Sequence, residues 1–398
     1  MSRRLKHFIF IFTFIISIYL IFWHFPLLSL DALKTTWQDP NFSDQNYYLF
    51  IANDLATRSS VSFSDLYVSW STFGVIGYLY LGKTIFRTEF FYTLLNPVLF
   101  LFGWILVVKS LKSNFLIKKD GILLLSLFPS MLLVLSTPGK EFLAIFGTLI
   151  FFNGCIYHFV RIRNQLSLFY IILGLLIVGL NRPHESAVLL ISILAFKCMT
   201  DDKRMRTFLL SISFLLVIFW SVRETLIFNG LVNALQSSEG IYWDTSTKNI
   251  SPSLHLVSSN LYSDNLFIHI LLGVPRVIIV FFAPLITSLR TLVAPENLSF
   301  GFDYYIFRDL SSILRMIDII TVILIIKFSL TNFNKRRLTP HALIIIRFFV
   351  FQIFISYYSI VYFGIVEKSR YFIQFGFVWL LIFLLIDNSR ERLSPDLN

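Results

Sequence analysis

The chain has 398 residues, 56% of them hydrophobic and 17% aromatic, and only 14% charged, with a mean hydropathy of +0.73. That is far more apolar than a water-soluble domain requires, so the chain reads as a membrane protein. The net charge of +11 lies in short Lys/Arg clusters between apolar runs, where orientation in a bilayer accounts for it and no nucleic-acid partner is expected.

Taken in chain order, the first apolar run, 8–29, follows "MSRRLKH". It is too long for a signal peptide and lacks a small-residue cleavage site, so it is expected to be a retained span. A spanning helix needs ~20 mostly apolar residues. Further runs that meet or approach this length are 89–109, 121–137, 141–160, 166–181, 185–200, 207–222, 312–331, 340–364 and 371–387. The runs 69–86 and 266–292 are apolar but ambiguous, the second being interrupted by Pro275 and Pro284 and carrying Arg276 and Arg290.

Basic residues collect at the cytoplasmic ends of spans. If neither ambiguous run crosses, the loops "SRRLK", "KSLKSNFLIKK", "RIR", "DDKRMR", "KRR" and "SRER" all fall on the cytoplasmic side. The run 69–86 is therefore expected to be an extracytoplasmic helix lying against the membrane, and 266–292 a re-entrant or interfacial segment. The expected fold is an all-α integral membrane domain, 1–398, of about ten transmembrane helices. Both termini are cytoplasmic, and two large segments, about 30–88 and 223–311, face outward. The richness in Phe and Ile suits an AT-rich bacterial gene, and the bacterial cytoplasmic membrane is the expected location.

Three short turns on that outward face carry charge: "TPGKE" with Lys140 and Glu141, "NRPHE" with Arg182, His184 and Glu185, and "VEKSRY" with Glu367, Lys368 and Arg370. Charge at a membrane boundary is costly unless it pairs or meets water, so the three turns are expected to converge on one outward cavity. Pro138 and Gly139 fit a turn that starts a helix at Lys140 or Glu141, and Glu141 also suits the helix dipole there. In the first outward segment, Tyr47, Tyr48, Ile51 and Leu55 form one apolar face of a short helix, with Ser43 as its N-cap and Asp44 at its start. Asp44 either helps cap that helix or projects toward the mouth of the bundle. Tyr242 and Trp243, in the polar loop 235–260, suit either stacking on sugars or anchoring at the interface.

The acidic residue after the first span with its "D-x-x-Y-x-x-x-A"-like helix (Asp44, Tyr47 or Tyr48, Ala52) resembles the GT-C class of polytopic membrane glycosyltransferases. The stretches "FPSMLLVLSTPGKEFL", "NRPHESAVLL" and "EKSRYFIQFGFVWLL" extend that resemblance toward bacterial O-antigen and surface-polysaccharide repeat-unit polymerases. The last is similar to an "R-Y-x-x-P" motif carrying Arg370 and Tyr371, although Gln374 and Phe375 stand where a proline is frequent.

The resemblance implies transfer from polyprenyl-(pyro)phosphate-linked sugars in surface-polysaccharide synthesis, with membrane lipid, the lipid-linked saccharide and polysaccharide-assembly proteins as partners. Such transfer needs a base for the acceptor hydroxyl, for which Asp44 or Glu141 would serve. It also needs cations for the departing phosphate: Lys140, Arg182 and Arg370, with His184 as proton shuttle or phosphate donor. Glu141 is alternatively an orienting partner for Lys140. Arg276 and Arg290 would hold a lipid pyrophosphate or anchor their segment to headgroups. No Asp-x-Asp, HExxH or Cys/His cluster is present, so neither metal nor other cofactor is expected. Cys155 and Cys198 have no partner spacing and read as core thiols. The competing function is a transporter or flippase of lipid-linked oligosaccharide, which would show internal repeats and charges midway along several spans. A third reading is a non-catalytic accessory subunit.

Overall fold

The computed structural model describes residues 44–58, 60–62, 65–66, 73–87, 91–115, 117, 121, 125, 128, 131, 134–135, 139–160, 165–200, 302–333, 338–362 and 369–388. Among them the secondary structure is helical, with no strand. The helices are α1 (Asp44–Thr57), α2 (Phe73–Phe86), α3 (Phe91–Asn114), α4 (Lys140–Val160), α5 (Gln165–Gly179), α6 (Pro183–Thr200), α7 (Phe302–Phe333), α8 (Pro340–Tyr362) and α9 (Ser369–Asn388).

Three stretches are long and apolar enough to cross a membrane: Leu94–Asn114, Lys140–Val160 and Met316–Phe333. Phe73–Phe86, Gln165–Gly179, Pro340–Ser356 and Gly376–Ile386 are shorter apolar helices. The expected span 312–331 is part of a longer helix, because α7 begins at Phe302. Its 32 residues rise ~48 Å, well beyond the ~30 Å hydrocarbon core. The last ten residues of the expected outward segment 223–311 therefore continue straight into the span as helix. The expected spans 8–29 and 207–222, the segment 266–292 with Arg276 and Arg290, and the residues Ser43, Tyr242 and Trp243 lie outside the described residues.

Helix α4 is the centre of the bundle, nearly all of its side chains from Phe142 to Ile156 being buried. It packs most closely on α5, where small residues let the two backbones approach. A Cβ on Gly154 would stand 2.7 Å from the Ile171 amide nitrogen, and one on Gly174 would stand 2.5 Å from that of Phe151. The buried residues of α5, Ser167, Ile171, Gly174 and Val178, recur every three or four positions, which is one helical face. On the other side of α4, Gly103 of α3 meets Phe146 and Leu149, and Ser110 donates a hydrogen bond to Asn153. Since residue 103 pairs with 146–149 and residue 110 with 153, α3 and α4 run in the same direction.

Aromatic side chains fill the spaces that remain. Phe377 of α9 sits against Phe100, Trp104 and Phe128, with ring centroids 5.4–6.1 Å away. Phe348 and Phe349 of α8 meet Phe152, Phe159 and Phe196. The faces turned away from this core are also apolar: Leu94, Val98, Phe102 and Ile105 form an exposed stripe on α3, and Leu168, Phe169, Ile172 and Leu176 one on α5. Exposed stripes of this size on helices already buried on the other face suit a hydrocarbon solvent.

Helix α2 departs from the bundle direction. Its first turn meets the turn between α5 and α6, where the Gly74 amide donates to the Leu180 carbonyl at 3.0 Å. Its middle meets the first turns of α4 and α3, through Tyr78 on Phe142 and Phe91, and its last turn stacks Phe86 on Phe91. Both ends of α2 therefore touch the same end of the bundle, and the helix lies across that end. Helix α1 packs on α2 with Tyr48, Ala52 and Leu55 buried and Ile51 partly buried. This is the apolar face expected from the sequence, with Ala52 added and the Tyr47 side chain outside the described set.

Candidate functional site: the charged end of the bundle

The sequence starts two helices at this end with charged first turns. Helix α4 begins at Lys140, directly after "TPG", and α6 begins at Pro183, a residue whose fixed φ and missing N–H suit a first helical position. Between α5 and α6 the chain turns in three residues held by their own backbone. The amides of Leu180, Asn181 and Arg182 donate to the carbonyls of Leu176, Val178 and Val178, and Ser186 N returns to Arg182 O at 3.1 Å. Ser186 Oγ also donates to Leu175 O at 2.8 Å. Arg182 is thus presented by a backbone with little freedom.

Its guanidinium Nη2 donates to Glu141 Oε1 in an ion pair between residues 41 positions apart. The Arg182 side chain is 5% exposed and that of Glu141 27%, so a nearly desolvated cation meets a carboxylate that keeps a wet edge. Beside it, Lys140 is buried and its Nζ lies 5.6 Å from the ring centroid of Tyr48 on α1. A ring face within ~6 Å attracts a cation through its quadrupole. Glu185, in the first turn of α6, is also buried. The cluster therefore sets two cations, Lys140 and Arg182, around the carboxylate of Glu141, with the buried Glu185 three residues after Arg182.

Of the sequence-expected site residues, the structure brings together Lys140, Glu141 and Arg182, with Tyr48 added from α1. Glu141, expected either as the base or as an orienting partner for Lys140, makes an ion pair across the bundle with Arg182. Asp44 opens α1 one turn before Tyr48. His184 lies in the first turn of α6, and Arg370 and Tyr371 in the first turn of α9; their side chains, like that of Asp44, are outside the described set. Residue 370 precedes Phe377 by ~10 Å of helix rise. Phe377 lies against Phe100 of α3 and Leu384 against Gly121 beside Trp104, so α9 runs in the same direction as α3 and its first turn lies toward the charged end.

Sequence reasoning passed over Asn181 and the contact of Tyr48 with Lys140. The signal for Asn181 was its place at a helix–helix turn beside an arginine, which alone says nothing of burial. Among the described residues no group of three or more His, Cys, Asp or Glu is arranged to hold a metal ion.

A second constellation joins the last turn of α1 to the loop after it. Arg58 binds Asp54 at 2.6 Å and Asp65 at 3.4 Å, and Asp65 Oδ2 accepts from both the hydroxyl and the amide of Ser62, at 2.6 and 2.7 Å. The Ser62 hydroxyl first, then the Ser62 amide and the Arg58 charge, hold the Asp65 carboxyl below its ordinary value. All these groups are exposed or half-exposed, and they act as a clasp on the loop after α1.

No known protein family matches this chain, and neither a curated protein nor a solved structure is similar to it.

Proposed function

We propose that this chain is a membrane glycosyltransferase that uses polyprenyl-(pyro)phosphate-linked sugar donors at the outer face of a bacterial cytoplasmic membrane, in the manner of surface-polysaccharide repeat-unit polymerases. The observation that carries the reading is the gathering of Tyr48, Lys140, Glu141 and Arg182, from three separate parts of the chain, at the bundle end crossed by α2. Buried charge at the end of an apolar bundle is costly to maintain, and such groups mark sites where charged or polar substrates are handled. In this reading ten spans with cytoplasmic termini put that end outward, the side on which the basic loops do not lie.

The division of labour follows from charge and exposure. The carboxylate of Glu141 keeps a solvent edge and is fixed by Arg182, so it or Asp44 takes the proton of the acceptor hydroxyl as the new glycosidic bond forms. The bond from the anomeric carbon to the phosphate oxygen breaks, and Lys140 and Arg370 stabilise the departing phosphate. In this reading His184 and Tyr371 are further substrate-binding residues. No metal or organic cofactor enters this scheme.

The test uses membranes containing the full chain and a lipid-linked oligosaccharide. Elongated saccharide that forms with the wild type and is lost in Lys140→Ala and Glu141→Gln, with expression retained, supports the assignment. Movement of the lipid-linked saccharide across the bilayer without a new glycosidic bond replaces it with the flippase.

A further inference from the structure

Two neighbouring side chains in the α5–α6 turn carry polar atoms for which the proposed chemistry has no use. Asn181 is 2% exposed and Arg182 4%. Asn181 Nδ2 donates to the Ile177 carbonyl at 2.8 Å, and because that partner can only accept, the amide's orientation is fixed with its oxygen on the other side. Among the described residues, Asn181 Oδ1 has no hydrogen-bond donor and Arg182 Nε no acceptor. Arg182 meets Glu141 through Nη2, so its charge is matched while the Nε–H remains a directional donor. A buried acceptor and a buried donor on adjacent residues, both unsatisfied, are rare in folded proteins and call for a partner.

The partner's chemistry follows from what the two atoms require. It must donate to a carbonyl-type oxygen and accept from an N–H, and it must be neutral, because the guanidinium is already opposed by a carboxylate. Phosphate and carboxylate oxygens satisfy Nε but set lone pairs against Asn181 Oδ1. An ammonium satisfies Oδ1 but is repelled by the guanidinium. A hydroxyl does both, and a vicinal diol does so with one oxygen for each. The geometry points to Asn181 Oδ1 and Arg182 Nε as the recognition pair for saccharide hydroxyls, so that Arg182 reads the sugar and not the phosphate. This rests on the glycosyltransferase reading for the identity of the substrate, while the pair itself stands on burial and hydrogen bonding. The site is preorganised: the turn's backbone amides are bonded, and α2 closes against Asn181, where a Cβ on Gly74 would come within 2.6 Å of the amide.

The experiment is equilibrium dialysis of the purified full chain in detergent micelles, against free glucose, galactose and N-acetylglucosamine, and separately against inorganic pyrophosphate. Saturable binding of at least one hexose is expected, weakened roughly tenfold in Asn181→Ala and in Arg182→Lys, as loss of one hydrogen bond to a charged or oriented group implies. Pyrophosphate binding should stay within about twofold in both. Should Asn181→Ala not fold, Arg182→Lys carries the test, since it keeps a cation opposite Glu141 and removes only the fork. Absence of hexose binding in the wild type, unchanged hexose binding in the variants, or parallel loss of pyrophosphate overturns the inference. Saccharide elongation in the same membranes separates the two claims. Unimpaired elongation with unchanged KM in both variants sinks the recognition pair and leaves the glycosyltransferase standing. Hexose binding that falls as expected in a protein making no glycosidic bond does the reverse.

Discussion

Arg182 and Glu141 show why the two partners of one ion pair are not equivalent. Removing the carboxylate strands a guanidinium whose side chain is 5% exposed, whereas removing the guanidinium leaves a carboxylate with 27% of its side chain in reach of solvent. Glu141→Ala is therefore expected to destabilise by about 3 kcal/mol, the low end for breaking a buried pair, and Arg182→Met by less. Melting in detergent micelles checks the order, and equal losses would contradict it. Tyr48 offers a second residue-scale test, because Tyr48→Phe keeps the ring under Lys140 and Tyr48→Leu does not. The leucine variant should melt lower than the phenylalanine variant by an amount equivalent to about 1 kcal/mol. The clasp at Asp65 should respond to pH. Its carboxyl titrates below the ordinary 3.8 because Ser62 and Arg58 favour the ionised form. A depressed folded-state value means that the stabilisation is complete above the ordinary value and is lost as pH falls through the lowered one. The protection of the Ser62 amide against hydrogen exchange, taken relative to its intrinsic rate at each pH, should persist at neutral pH and fall only in strong acid; Ser62→Ala should bring the carboxyl's titration back up.

Among elements, α4 and α5 depend on glycine for a reason the neighbouring helices do not share. At Gly174 an added Cβ meets backbone, the Phe151 amide nitrogen and the Gly147 carbonyl, at 2.5 and 2.7 Å, and backbone inside a packed helix has nowhere to move. Gly174→Leu should force the pair apart and cost at least ~3 kcal/mol or abolish folding. Gly77, in the middle of α2, faces open space, and a Cβ added there would meet nothing within 4 Å. Gly77→Ala should therefore stabilise by ~0.5 kcal/mol through helix propensity alone. Melting of the two variants side by side tests whether close approach or propensity governs each site. The length of the apolar runs announced most of these helices: 89–109, 141–160, 166–181, 185–200, 340–364 and 371–387 each correspond to an observed helix within a few residues. The start of α7 was not legible. Residues 302–311 hold Asp303, Arg308 and Asp309, and a window set to find lipid-compatible sequence stops at charge, while a helix continues for as long as its backbone hydrogen bonds do.

At the scale of the whole molecule, the decisive question is which side of the membrane the charged end faces. A reporter fused after residue 115 is expected to read cytoplasmic and one near residue 245 external, because the basic loops follow the ends of α3, α4 and α6. The opposite assignment would put Lys140, Glu141 and Arg182 in the cytosol and remove the outward-facing chemistry.

Composition alone determined that this is a membrane-type chain of helices, because a backbone surrounded by hydrocarbon must satisfy its own hydrogen bonds and a long apolar run does so as a helix. Local residue order also set where α4 starts, since Pro, Gly and a first-turn acid act within a few positions. The partners across the bundle were decided only in three dimensions. Helices such as α3 are apolar on every side, so nothing in their order separates the face carrying Trp104, which meets Phe377, from the one carrying Phe102 and Ile105. The pairing of Glu141 with Arg182 and of Lys140 with Tyr48 joins residues 41 and 92 positions apart. Such contacts depend on how whole helices pack, which is fixed by volume and close approach and not by the polarity pattern along any one of them.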